Sequence, residues 1–187
     1  MPAPVNIKKY ISVMSLLFFI SILLGYSFAL HNKELASKLT NEISSSLNFV
    51  KKLSPFYIFL FIFLNNAIKS LVVILLGFFF GIAPLIFIFS NGYILGIVVA
   101  ITSLKAGWSQ VILGLVPHGI LEVPAVIIAS GYGFWLGVKF YRKLKYKEPF
   151  KNAFIYSMKK FCKVILPLLL VAAIIETFFT PHILKKF

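Results

Sequence analysis

A fifty-residue apolar segment, residues 55–104, constrains the fold more than any other feature of this sequence, and its one charged residue is Lys69. A helix needs about 20 apolar residues to cross a hydrocarbon core of about 30 Å, so the segment is too long for one span and long enough for two. The whole chain has the same character, because 60% of its 187 residues are hydrophobic and 13% are charged. Soluble domains usually contain about 45–50% apolar residues. A water-soluble globule is therefore excluded.

We predict an all-α fold, a polytopic transmembrane helical bundle of about five spans in one integral membrane domain, residues 1–187. The first apolar segment is the candidate for a cleaved signal peptide. Its uncharged stretch of 21 residues is longer than the usual apolar region of about 7–15 residues, which favours a retained helix. The predicted spans are residues 10–30, 55–80, 84–104, 108–137 and 164–181.

Prolines and glycines predict where the apolar segments turn or break. Pro84 disfavours helix in the residue before it, so we expect a turn from Gly81 to Pro84. A fourth span follows, interrupted at Pro117, Gly119 and Pro124, and we expect one broken helix there, with a re-entrant hairpin as the alternative.

The two tryptophans set the expected length of the fourth span. Trp108 and Trp135 are 27 residues apart, or about 40 Å at 1.5 Å per residue. That distance would place one tryptophan in each interfacial belt of the bilayer.

Two polar stretches, residues 33–50 and 149–162, have an apolar residue about every fourth position. This spacing predicts amphipathic helices that lie at the membrane surface. The apolar residues of the first are Leu35, Leu39, Ile43 and Leu47. Those of the second are Phe150, Phe154, Met158 and Phe161.

The charge distribution predicts the orientation. The net charge is +14, from 19 lysines and arginines against five glutamates. With five spans, eleven of these cations lie on one side, nine of them in the loop 138–163, and seven lie on the other. The positive-inside rule then puts the N-terminus in the cytoplasm and the C-terminus outside. Because the basic loop would face anionic lipid, we expect no nucleic acid partner.

Seven polar residues fall inside the predicted spans, where an ionisable side chain costs at least about 2.5–3.5 kcal/mol. They are Asn65, Asn66, Lys69, Asn91, His118, Glu122 and Glu176. Counting 1.5 Å per residue from the outer helix ends places Asn66 and His118 at about 15 Å, Glu122 and Asn91 at about 21 Å and Glu176 at about 9 Å. Three of the four helices thus place their polar residues near the middle of the bilayer, with Glu176 shallower on the same side, and this convergence predicts a shared polar site.

Three interpretations of this polar core remain open. In a structural network, Lys69 neutralises a glutamate and His118 binds a carbonyl freed by a proline. In a proton or ion pathway, Glu122, Glu176 and His118 carry the charge. In a metal site, the same three side chains are ligands, since imidazole and carboxylate suit several divalent metals. No catalytic residue and no cofactor are predicted.

Small residues spaced four apart predict close helix packing. One series is Gly92, Gly96 and Ala100, and the others are Gly77 with Gly81 and Gly133 with Gly137. Gly119 is expected to allow close backbone approach. Packing within the chain is the simpler interpretation, and a homodimer seam is the alternative.

Residues 114–125, Gly-Leu-Val-Pro-His-Gly-Ile-Leu-Glu-Val-Pro-Ala, resemble the stage II sporulation protein M family. Similar stretches follow the family's order at residues 65–81, 91–96 and 172–181, so the resemblance covers most of residues 10–182. It implies a helical membrane protein of several spans. The family's namesake acts in engulfment as a membrane partner of cell-wall hydrolases, and relatives are also found in organisms that never sporulate.

The leading functional hypothesis is therefore a non-enzymatic protein of the plasma membrane, a scaffold or partner of other membrane or envelope proteins in the lipid bilayer. A channel or transporter that uses Glu122, Glu176 and His118 is the alternative. A metal-dependent membrane enzyme is the third.

Overall fold

The computed structural model describes residues 6–180, apart from the side chains of Lys51 and residues 115–118, and this part of the chain is helical without a strand. The all-α prediction is confirmed. The α-helices are α1 Ile7–His31, α2 Lys33–Ser46, α3 Pro55–Leu75, α4 Ile82–Tyr146, α5 Lys151–Lys160 and α6 Leu166–Ile174. Short 3-10 turns occupy Val50–Lys52 and Leu76–Phe78, and π-helical turns occupy Phe161–Ile165 and Ile175–Phe179.

Five helical stretches of the described chain are long and apolar enough to cross a membrane, as the composition predicted. They are Ile7–His31, Pro55–Phe78, Ile82–Gly114, Gly119–Tyr146 and Lys151–Phe179. Many large apolar side chains on these stretches are exposed, as expected of helices whose outer faces meet hydrocarbon rather than water.

The turn between α3 and α4 lies just before the position that Pro84 suggested. Phe80 has φ 52° and Gly81 has φ 78°, both left-handed, and α4 begins at the next residue. Pro84 is therefore the third residue of α4. A missing N–H does no harm there, because the first four N–H groups of a helix have no partner within the helix.

Helix α4 bends at Gly107, whose φ of 82° and ψ of 168° are not helical. Residues 82–106 are its first arm and residues 108–146 its second arm. The backbone of the second arm is helical through Pro117, Gly119 and Pro124, so the break predicted there is wrong. A proline removes one helical hydrogen bond, which the bonds on either side and the packing of the rest of the arm outweigh.

One further expectation for the second arm is wrong. A Cβ at Gly119 would meet no atom within 4 Å, so this glycine does not serve close packing. Trp108 is 57% exposed, but Trp135 is only 3% exposed and contacts Tyr132 and Tyr156. Trp135 is thus packed within the bundle, and the placement of the two tryptophans in opposite interfacial belts stays a prediction.

Residues 149–162 do not form a separate surface helix. From Lys151 to Phe179 the chain is one helical stretch, and a π-helical turn just before Pro167 accommodates that proline. The apolar stripe of α5 packs on the core instead of lipid. Its members at that contact are Phe150, Phe154, Met158 and Phe161.

Helix α2 keeps the amphipathic character predicted for residues 33–50. Ala36 is buried against α1 and the first arm of α4, whereas Leu35, Ile43 and Leu47 are exposed. Its apolar stripe therefore remains largely uncovered in the described chain. That it lies on the membrane surface stays a prediction.

Glycines bring α1 into backbone contact with the first arm of α4. A Cβ added at Gly25 would overlap the carbonyl oxygen of Tyr93, and one at Gly96 would overlap that of Ile22. Gly92 likewise contacts the backbone of Phe18. Only glycine permits this separation, since any Cβ would force the helices apart.

The other small-residue series also pack within the chain. A Cβ at Gly77 would overlap the carbonyl oxygen of Gly133, and one at Gly137 would overlap the backbone of Gly81. The predicted packing faces are thus used between helices of one chain. A homodimer, which stays a proposal, would need a different surface.

Replacing Gly96 by alanine is expected to destabilise the protein by about 1–3 kcal/mol, the usual cost of overpacking. The matched control is Gly114→Ala, because a Cβ at Gly114 meets nothing within 4 Å and alanine is the better helix former by about 1 kcal/mol. Thermal unfolding of the purified protein in detergent measures both changes. Equal melting temperatures for the two variants would contradict the close approach of α1 and α4.

Candidate functional site

A cavity of about 270 Å³, here called the polar cavity, lies between α3, both arms of α4 and the π-helical turn after α6. Six of the seven polar residues predicted for the spans line it. They are Asn65, Asn66, Lys69, Asn91, Glu122 and Glu176. The seventh, His118, lies outside the described side chains.

Helix α3 supplies the largest part of this lining. Asn65 and Lys69 are four residues apart, as are Asn66 and Ser70, and all four line the polar cavity. Side chains four residues apart lie one above the other on the same helix face. The sequence therefore places two adjacent polar stripes along one side of α3.

The remaining polar groups come from elements far apart in the chain. Asn91 lies on the first arm of α4, Glu122 on its second arm, and Glu176 in the π-helical turn Ile175–Phe179. At the Gly107 bend the chain reverses, so the second arm packs back along the first. Both arms of α4 therefore supply side chains to the polar cavity.

Hydrogen bonds involve all three asparagines. The Asn91 side-chain amide donates to the carbonyl oxygen of Phe87 over 2.8 Å. The Asn65 amide donates to the side-chain oxygen of Asn66 over 3.4 Å. Both bonds are local to one helix, so they fix the side chains without joining the helices to one another.

Two buried hydroxyl groups near the site were missed in the sequence. Among the described residues, Ser70 and Thr177 have no hydrogen-bond partner for their side-chain oxygens, and Ser70 lines the polar cavity. An unsatisfied buried hydroxyl in a polar cavity is where a ligand or water usually binds. Their positions in the sequence could have indicated them. Ser70 follows Asn66 by four residues, and Thr177 follows Glu176 directly.

Three ionisable side chains of the described residues line the polar cavity. They are two carboxylates, Glu122 and Glu176, and one ammonium group, Lys69. At membrane depth an ionised side chain usually needs a partner or a hydrogen bond. Which groups pair with Lys69 stays a prediction.

The metal-site hypothesis rests on a side chain that is not described. The described residues hold no group of three His, Cys, Asp or Glu side chains placed to bind a metal ion. Glu122 and Glu176 do share the polar cavity. The third proposed ligand, His118, stays a prediction from the sequence.

A second cavity of about 550 Å³, here called the apolar cavity, lies on the other side of Glu122 between α1 and the two arms of α4. It shares Asn91, Glu122 and Val126 with the polar cavity. The rest of its lining is apolar except for Gly119. The apolar residues of that lining are Phe18, Phe19, Ile22, Ile94, Leu95, Val98, Val99, Val111, Ile120 and Val123.

The basic loop contains one ordered charge cluster. Glu148 forms ion pairs with Arg142 at 2.5 Å and with Lys139 at 3.5 Å. The Glu148 side chain is 28% exposed. Pairs of this exposure contribute at most about 1 kcal/mol each, so the cluster orders the loop more than it stabilises the fold.

Comparison with known proteins gives a family match over most of the chain. The family described as stage II sporulation protein M matches residues 14–181. An uncharacterized protein of Methanocaldococcus jannaschii is 30% identical over 98% of this chain and 86% of its own length. A second uncharacterized protein of that organism is 31% identical over 64% of this chain and 70% of its own. No solved structure matches.

Proposed function

This chain belongs to the stage II sporulation protein M family of membrane proteins, and from that premise we propose that it is a non-enzymatic protein that passes a proton or small cation through the polar cavity. The observation that supports this proposal is the convergence of six polar side chains from three helical elements and a π-helical turn on one cavity. The proposed carriers are Glu122 and Glu176, with Lys69 as the counter-charge.

The cost of burying charge favours a working site over a purely structural one. Ionisable side chains at membrane depth are expensive, and they usually face an interior cavity and mark an ion or substrate pathway. Two carboxylates share the polar cavity, and each is a group that can take up a proton or bind a cation, which supports a site of this kind.

The scaffold role implied by the family resemblance is the second candidate. The C-terminal end of α4 supports this candidate. Lys143, Lys145 and, just after the helix, Lys147 are exposed there, next to the ion pairs of Glu148. An exposed basic helix end is suited to docking an acidic segment of another membrane or envelope protein. This candidate needs no solute in the polar cavity.

The proposed orientation places the loop after α4 in the cytoplasm and the C-terminus outside the plasma membrane. Pro149 is exposed in that loop. In a Cys162→Ser background, Pro149→Cys is expected to react with a membrane-impermeant maleimide only after the cells are opened. Labelling of intact cells would reverse the orientation.

Ion flux is the measurement that separates the two candidates. Purified protein in liposomes is expected to conduct protons or a monovalent cation, and Glu122→Gln and Glu176→Gln should each reduce the flux to that of empty liposomes, because the carrier charge is removed. The matched control is Glu42→Gln, which changes an exposed carboxylate of α2 and should leave the flux unchanged. A folded wild-type protein without flux would contradict the transport proposal and favour the scaffold.

A further inference from the structure

A third cavity, of about 450 Å³ and here called the basic pocket, lies where the chain leaves α4 and enters α5. Three lysines line it: one from the end of α4, one from the connection and one from the start of α5. The complete lining is Lys143, Lys147, Glu148, Pro149, Phe150 and Lys151. It shares no residue with the polar cavity, so it takes no part in the proposed passage of ions.

The basic pocket has a positive charge, because its one carboxylate is engaged elsewhere. Glu148 forms ion pairs with Lys139 and Arg142, and neither of these residues lines the pocket. Within the described chain, the three lysines of the pocket are thus left without a carboxylate partner. Ammonium groups around one space attract an anion, and their N–H groups donate hydrogen bonds to phosphate oxygens.

Two of these lysines occupy positions that the local backbone disfavours. Lys147 has φ 56°, a left-handed conformation that glycine or asparagine usually adopts directly after a helix. Lys151 is the first residue of α5, which has no acidic residue in its first turn, although the helix dipole disfavours a cation at that end. Orientation in the membrane requires lysines in the loop but not at these two positions. An anion held in the pocket that they share would compensate both.

The position of the basic pocket along α4 corresponds to the lipid head groups. The first charged residue after Glu122 is Lys139, and Lys143 follows it by about 6 Å of helix. A bilayer is about 40–45 Å thick with its head groups and about 30 Å without them, which leaves a similar depth for each head-group layer. Tyr141 and Tyr146, at the same end of α4, are exposed, as is typical of this interface. The anion present at this level of a membrane is the phosphate of a lipid.

The rest of the lining also suits a lipid rather than a free anion. Pro149 and Phe150 form an apolar part of the pocket, and the Lys143 ammonium group lies 5.8 Å from the centre of the Phe150 ring. A phospholipid presents its phosphate beside apolar glycerol and chain carbons, which matches lysines beside an apolar wall. Basic pockets between helices at a membrane surface bind anionic head groups in this way.

We infer that the basic pocket binds one anionic phospholipid of the adjoining leaflet, with its phosphate held by the ammonium groups of Lys143, Lys147 and Lys151. This inference goes beyond the proposed passage of ions and does not depend on it. A lipid bound there would compete with the acidic protein segment that the scaffold candidate places at the same helix end.

Native mass spectrometry of the purified full chain in detergent tests the inference, with phosphatidylglycerol and phosphatidylcholine as probes. Phosphatidylglycerol is expected to bind at least about tenfold more tightly, because the choline ammonium group of the other lipid is repelled by the lysines. Equal binding of the two lipids would overturn the inference.

Lys147→Gly tests the site itself. Glycine adopts the left-handed backbone without strain, so the variant should melt at or above the wild-type temperature while binding phosphatidylglycerol about tenfold more weakly, the effect of losing one charged hydrogen bond. The matched control is Lys38→Gln, which removes an exposed lysine of α2 outside the pocket and should leave binding unchanged. Wild-type binding by the Lys147→Gly protein would contradict the assignment.

Competition identifies the source of the anion. Bound phosphatidylglycerol is expected to persist against an equal concentration of inorganic phosphate or of polyglutamate. Displacement by inorganic phosphate would overturn the lipid assignment in favour of a free anion. Displacement by polyglutamate would overturn it in favour of an acidic protein segment.

Discussion

Direct backbone contact between helices at glycine is the constraint on which the rest of this structure depends. Gly25 and Gly96 bring α1 onto the first arm of α4, and Gly77 packs on Gly133 where α3 meets the second arm. Without a hydrophobic drive between helices in lipid, close packing of this kind supplies much of the association energy. It fixes the rotation of each helix and so decides which faces are left to enclose a cavity.

The polar cavity follows from that rotation. Once the glycine faces are in contact, the stripes that hold Asn66, Asn91 and Glu122 turn toward the same space, and Glu176 reaches it from the last helix. Asn66, Glu122 and Glu176 are partly buried there, whereas Lys69 and Asn91 are exposed. This grouping of ionisable and amide side chains connects the packing of the bundle with the proposed passage of a proton or small cation.

Much of this architecture could be predicted from the sequence, because a membrane span needs a long apolar segment and a polar residue inside one stands out. What could not be predicted depends on contacts between distant segments. Nothing local shows that Gly119 borders open space while Gly96 meets backbone, or that the second arm stays helical at Pro124. The apolar stripe of residues 149–162 predicts a membrane-surface helix, because the sequence does not show the core residues on other helices against which it packs.

The proposed function requires that the polar cavity inside the bundle is accessible to water. The reactivity of cysteines placed in and beside the cavity tests this most directly. Asn66 lines the polar cavity, whereas its neighbour Ala67 is buried in the core. In a Cys162→Ser background, Asn66→Cys is expected to react readily with a small water-soluble thiol reagent, and Ala67→Cys is expected to stay unreacted in the folded protein. Equal protection of both cysteines, or faster reaction at position 67, would contradict the cavity described above.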